Sequence, residues 1–245
     1  MRETIVTSNV SERIGAHKKS GRTMILIIFV SFVIIVIGTA TNTTPLALIG
    51  VIAAIGSGIA FVRSAKRLTI YGYGHEGEEI LKQQLHSLLS DDYIAYFGYP
   101  LKSGGDVDCV LLGPSGLYVI ETKHHNGSIQ YTDGGWRQVK TGRGGTAYHG
   151  NLKNPGGQVF FALHELKSFL ESKGIKLFIQ GMVTFTNPSA ELYIKKNPKP
   201  LIVCKIDDLA DVLRNENKKA IPQYKREQIE KELNVVGGSN LKLSV

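Results

Sequence analysis

The chain has 245 residues, enough for one or two domains, and carries 29 Lys+Arg against 21 Asp+Glu, with a pI of about 9.4. Two cysteines without zinc-ligand spacing exclude a disulfide-stapled scaffold and a zinc module, and the basic surplus suits an anionic partner such as nucleic acid or lipid. A mean hydropathy of −0.03 hides a division, because residues 24–62 contain no Asp, Glu, Lys or Arg while the rest reads as an ordinary charged globular sequence.

Residues 1–23 form a basic N-terminal segment. The uncharged stretch then holds two apolar runs, MILIIFVSFVIIVIGTA (24–40) and LALIGVIAAIGSGIAFV (46–62), separated by the polar turn TNTTP. About 17–25 apolar residues span a bilayer as a helix, so 24–62 reads as a transmembrane helical hairpin. A cleaved signal peptide is the rival for the first run, but a second run follows too closely. A buried soluble hairpin would keep a polar face. Arg13, Lys18, Lys19 and Arg22 precede the first run, Arg63, Lys66 and Arg67 follow the second, and the loop is uncharged. The positive-inside rule therefore puts both termini and the following domain in the cytoplasm of a two-pass membrane protein. Cys109 and Cys204, each inside an apolar run, agree as buried thiols of a reducing compartment.

Residues 63–73 read as a linker ending at Gly72 and Gly74, and 74–236 as the globular domain. HEGEEILKQQLHSLLSDD has a helical stripe of Ile80, Leu81, Leu85, Leu88 and Leu89, with Glu76, Glu78 and Glu79 in the expected first turn, where the helix dipole favours acids. A strand over 93–97 follows. DVDCVLL, GPSG and LYVIETK give the strongest hairpin signal in the chain, and SIQY and WRQVK a smaller one around Asp133, Gly134 and Gly135. The Gly-rich stretch 141–153 reads as a loop able to act as a flap. NPGGQVFFALHELKSFLESKG is a helix with Asn154 as N-cap, Pro155 in the first turn and Gly174 as its stop. LFIQGMVTF and LIVC are strands, DDLADVLRNE and PQYKREQIEKELN amphipathic helices, and 237–245 a loose tail. The fold class is α/β, a mixed central sheet flanked by helices.

On a strand, Glu121 and Lys123 share one face. If GPSG closes a symmetric two- or four-residue loop, Leu112 faces Leu117, Val110 faces Val119 and Asp108 faces Glu121. Opposed carboxylates destabilise a sheet unless a cation sits between them, and Mg²⁺ binds through one or two carboxylates plus water and phosphate oxygens. A type I turn with a bulge at Gly116 would shift the register by one and send Asp108 to the other face.

GYGHEGEE, DVDCVLLGPSGLYVIETKHHNGSI, Trp136 and NPGGQ together resemble the nuclease-related domain (NERD), a family assigned to the PD-(D/E)XK nuclease superfamily, over about 74–169. The resemblance implies a restriction-endonuclease-like α-β-β-β-α-β core and a metal-dependent nuclease of DNA or RNA, tethered to the bilayer by the preceding hairpin. It implies that Asp108, Glu121 and the Thr122 carbonyl hold Mg²⁺ or Mn²⁺, with Glu78 completing the shell. Lys123 then orients water or stabilises developing charge, and Gln158 positions water or substrate. His124 and His125 depart from the family, which tends to have Asn after the Lys; both are left with no role beyond a phosphate contact. Trp136 with Arg137 reads either as a base-stacking pair or as a core plug, Arg143 belongs to the flap, and Lys195, Lys196 and Lys199 read as a solvated loop. An idle nuclease-like module binding nucleic acid or a protein at the membrane is the alternative.

Overall fold

The computed structural model describes residues 1–5, 9–132, 135–195, 201–215 and 220–238. They fall into two units, Asn9–His75 on one side and Met1–Ser8 with Glu76–Val245 on the other.

The first unit is a helical hairpin, α1 (Asn9–Ala40) and the greater part of α2 (Thr44–Leu88). The turn between them places Asn42 at φ 55°, the left-handed conformation that Asn tolerates. Gly38 and Gly50 let the helices touch. A Cβ on Gly38 would lie 2.6 Å from the Ala47 nitrogen, and one on Gly50 2.7 Å from Ile35 Cγ1. Ser31 and Ser57 return their hydroxyls to the carbonyls of Ile27 and Ala53, four residues back, so neither of these two donors is left free in apolar surroundings. Elsewhere Leu, Ile, Val and Phe point outward. Two stretches, Lys19–Ala40 and Thr44–Lys66, are long and apolar enough to cross a membrane.

Two expectations change here. Residues 63–73 are helical backbone, so α2 runs unbroken through the stretch read as a linker. Gly72 and Gly74 each weaken a helix by about 1 kcal/mol, but without proline an already nucleated helix propagates through them. Glu76, Glu78 and Glu79 therefore sit deep in a long helix and not in a first turn, so no dipole argument applies to them.

The second unit is built on a six-stranded sheet in the order β1 (Arg2–Ile5), β2 (Ile94–Pro100), β3 (Asp106–Gly113), β4 (Gly116–Lys123), β8 (Ile179–Phe185), β10 (Leu201–Lys205). β2, β3 and β4 are antiparallel neighbours, whereas β4, β8 and β10 run parallel. A four-stranded sheet in the order β7 (Ala147–His149), β6 (Gly135–Thr141), β5 (Gly127–Thr132), β9 (Ala190–Ile194) continues from the β4 and β8 ends. β5 and β9 pair in parallel just as β4 and β8 do. Helix α3 (Pro155–Ser172), capped by Asn154 Oδ1 accepting from the Gly157 N–H at 2.9 Å, leads into β8. The series α2, β2, β3, β4, α3, β8 is the α-β-β-β-α-β order expected. A short 3-10 turn, α4 (Leu209–Asn215) and α5 (Gln223–Gly238) complete the unit. α5 extends into the segment read as a loose tail; residues 239–245 lie outside the described residues, as do Asp133, Gly134, Lys196 and Lys199.

Alternation along the central strands sorts the core into two layers. Val110, Leu112, Leu117 and Val119 pack with Val159, Leu163 and Leu166 of α3 and Ile229 and Leu233 of α5. Cys109, Leu111, Tyr118 and Ile120 pack on the other face with Leu81 and Leu85 of α2 and Leu209 and Leu213 of α4. Both cysteines are free and buried; burial raises their thiol pKa values, that of Cys204 to about 11, so they serve as apolar packing.

The Gly-rich stretch read as a flap is for the most part a hairpin, β6 and β7 paired through Val139–His149 and Lys140–Tyr148, with a tight turn at its tip. β1, β7 and β9 had no anticipated counterpart. The α3–β8 contact has a sharp steric requirement, since a Cβ on Gly181 would come 2.6 Å from Val159 Cγ1 and 2.9 Å from Leu163 Cδ1. Gly181→Ala should cost about 1–3 kcal/mol of stability. Thermal unfolding of the full chain in detergent should show a lowered midpoint, recovered in part by adding Val159→Ala.

Candidate functional site

The β3–β4 turn contains two residues, Pro114 and Ser115, and sets the register. Gly113 pairs with Gly116, Leu112 with Leu117, Leu111 with Tyr118, Val110 with Val119, and Cys109 with Ile120. The symmetric alternative is therefore the one adopted. Tyr93 and Tyr118 both bring their hydroxyls to Ser115 Oγ, at 3.1 and 3.0 Å, which pins the turn.

One step further in this register Asp108 stands opposite Glu121, but the ladder ends first. Asp108 Oδ2 accepts the Thr122 N–H at 2.6 Å, so a carboxylate takes the place of a backbone partner. The neighbouring strand shows why that is possible. The β2–β3 pairing passes from Phe97–Cys109 to Tyr99–Val107, and Gly98, level with Asp108, has φ 62°. Val107 and Val110 share a core layer, so the alternation of faces breaks between them. This local twist is one that only a residue such as glycine adopts at low cost.

Five carboxylates shape the local field. Burial raises the Asp108 pKa well above the usual carboxylate range, the Glu121 and Glu78 charges push it further, and Lys123 and the Thr122 N–H oppose them. Burial likewise raises Glu78 to about 7, helped by Asp106, Glu121 and Glu79 and opposed by Lys123. Lys123 Nζ is ion-paired with Glu121 Oε1, both side chains largely buried at 15% and 10% exposure. Helix α2 reaches this point because Gly77 has no side chain: a Cβ there would meet His124 Cβ and Thr186 Oγ1 at 3.1 Å. Glu78 is thereby held close to the strand ends.

The remaining expected residues are divided. His124 is turned inward, its Nδ1 3.0 Å from Thr186 Oγ1 and its Nε2 3.2 Å from Asn187 Nδ2 and 3.7 Å from Glu76, so it fastens the β4–β5 corner to the β8–β9 corner. A side chain so engaged is not presented to a phosphate. Trp136 packs against the core, 5.1 Å from the Tyr131 ring and 6.2 Å from that of Phe185, which favours the core-plug reading over base stacking. Arg137 and Arg143 are exposed on the small sheet, and Gln158 is exposed in the first turn of α3. Gly77 and Gly98 shape the site without having been singled out; Gly98 in FGYP was the one legible hint, a glycine inside a strand.

A hard divalent cation fits the donor set in kind. Asp108, Glu121 and a backbone carbonyl are oxygen donors, and the field of crowded carboxylates favours positive charge. They do not form a closed cage: among the described residues, no three His, Cys, Asp or Glu side chains converge on one ion position.

Residues 73–186 match the family model described as nuclease-related domain. No curated protein and no solved structure matches the chain. Nuclease-like domains of this kind usually use divalent metals.

The raised Glu78 pKa has a definite sign in stability. Its folded value near 7 lies above the ordinary 4.5, so its favourable contribution is complete below about pH 4.5 and is lost as pH rises through about 7, a span worth about 3 kcal/mol. In EDTA the full chain should unfold at a lower temperature at about pH 8 than at about pH 5.5. Glu78→Gln should shrink that difference, the buried Asp108, raised in the same sense, accounting for the remainder, as read by thermal unfolding across the pH range.

Proposed function

We propose, from the match of residues 73–186 to the nuclease-related domain, that the protein is a membrane-anchored, metal-dependent nuclease that hydrolyses phosphodiester bonds of DNA or RNA on the cytoplasmic side. The observation that carries this reading is the meeting of Asp108, Glu121 and Lys123 at the end of β3 and β4, with the Asp108 carboxylate bound to the Thr122 N–H.

Asp108, Glu121 and the Thr122 carbonyl would hold Mg²⁺ or Mn²⁺, whose contribution when bound is to polarise a phosphodiester oxygen and acidify water. The Thr122 N–H orients the Asp108 carboxylate, so one side chain is fixed without help from a flexible partner. Lys123 offers an ammonium against the negative charge that develops on phosphorus-bound oxygens, and its pairing with Glu121 keeps it in place before substrate arrives. Glu78, half protonated near neutral pH, is suited to exchange a proton with water at the site. Gln158 stands in the exposed first turn of α3, available to water or substrate. The second reading, an idle binding module at the membrane, draws on the open donor set.

Anchoring rests on the two apolar helices, and their flanking basic residues favour the cytoplasmic side. β1 adds an independent constraint. Residues 2–5 pair in parallel with 94–97, and Arg2 donates from both guanidinium nitrogens to the Glu230 carboxylate, at 2.8 and 3.2 Å. A strand preceding the helical hairpin can join the domain following it only if both lie on one side of the bilayer.

The test is cleavage of plasmid, single-stranded DNA and RNA by the full chain in nanodiscs, with Mg²⁺, Mn²⁺ or EDTA. The full chain is needed because a fragment starting after the hairpin lacks β1. Metal-dependent cleavage lowered about 10²–10³-fold by Lys123→Ala supports the enzyme; absent cleavage with intact binding transfers the assignment to the idle module. Reporters fused at the two ends should both be cytoplasmic, and a split result would refute the topology.

A further inference from the structure

Beyond the cleaving residues, the small sheet carries a second feature close to them. β5 begins at Gly127, four residues after Lys123, and Gly127 has φ 81° with no room for a side chain. A Cβ there would strike the Val139 carbonyl at 2.5 Å and meet Lys140 Cγ at 3.5 Å. The bare backbone of Gly127 is thus the floor on which the Lys140 side chain lies. Across the β6–β7 pairing, Lys140 is opposite Tyr148, so both project from the same face of the sheet. Tyr148 is 52% exposed, so an open aromatic residue lies beside Lys140. Burial and the charges of Lys123 and Lys140 hold the His125 imidazole pKa down, which puts that ring near both lysines. The turn joining the two strands adds the exposed Arg143. Lysine, imidazole, lysine and an open aromatic ring thus follow one another from the candidate catalytic lysine to the hairpin tip.

We infer that the β6–β7 hairpin is the substrate-strand platform of this site: it binds single-stranded nucleic acid, with Tyr148 stacking on an unpaired base and Lys140 and Arg143 on the flanking phosphates. The inference rests on the nuclease reading and specifies the form of its substrate. An exposed ring beside cations is the arrangement that holds single strands without reading sequence, because every base has a stacking face and every linkage a charge. A duplex keeps its bases stacked on each other and offers Tyr148 nothing to cover. The opposite face of the small sheet also exposes a tyrosine, Tyr193, but its hydroxyl donates to Glu191, and a carboxylate beside the ring repels phosphate.

The test uses the full chain in nanodiscs, in a Glu121→Gln background that leaves the strand uncut, and fluorescence anisotropy with labelled single-stranded and duplex oligonucleotides. Tyr148→Ala should weaken single-strand binding about 10-fold while Tyr148→Phe retains it. Lys140→Gln should make the salt dependence of the binding constant shallower by about 0.7. Tyr193→Ala should bind like the background protein. Unchanged binding by Tyr148→Ala, a loss in Tyr193→Ala alone, or a preference for duplex overturns the platform, and leaves the nuclease reading to its own cleavage assay. No binding to any strand also overturns the platform, whether or not cleavage is seen.

Discussion

Like charges crowded into a poorly hydrated corner repel one another, and the end of the large sheet where β3 and β4 meet α2 is arranged around that repulsion. Asp108, Glu121 and Glu78 come from three different elements; beside burial, the Glu121 and Glu78 charges raise the proton affinity of Asp108, and the Glu121 charge that of Glu78. Lys123, the N–H of Thr122 and partial protonation of Glu78 relieve only part of the strain. A divalent cation would relieve the rest. The site therefore stores a cost in the folded state that a bound metal would offset, which would couple metal affinity to stability through the same side chains.

That arrangement depends on a chain of backbone decisions, each local. Two residues in the β3–β4 turn fix the register, and one more would move Asp108 to the far face. Gly98 allows the neighbouring strand to twist at the level of Asp108, which releases the carboxylate from a regular ladder so that it can reach Thr122. Gly77 lets α2 settle against the end of β4, bringing Glu78 to the others. The role of these glycines is close approach, and a methyl group at Gly77 would push Glu78 outward.

The central core was legible because its signals are periodic and local. Alternating apolar residues marked β3, β4 and β8, the Asn154-Pro155 start and Gly174 stop marked α3, and the Glu-x-Lys placed its two charges on one face. What escaped depends on partners far away in sequence. β1 is four residues from a basic segment and becomes a strand only because the β2 edge is open to it. β9 pairs in parallel with β5, which no turn signal announces. The continuity of α2 escaped because two glycines resemble a stop, whereas a helix already formed does not need to renucleate. His124 and Trp136 carried the right chemistry for nucleic acid, but burial decided their use, and burial is set by the tertiary fold.

The parallel β1–β2 pairing shows how far apart in sequence the partners of one core can lie. Met1–Ser8 and Glu76–Val245 belong to one unit, with the whole helical hairpin between them in the chain. The Arg2–Glu230 pair, at 2.8 Å, ties β1 to α5. Loss of β1 would expose the β2 edge to pairing with other chains. The N-terminal strand thus covers a sheet edge with four residues, and only the tertiary fold makes it a strand.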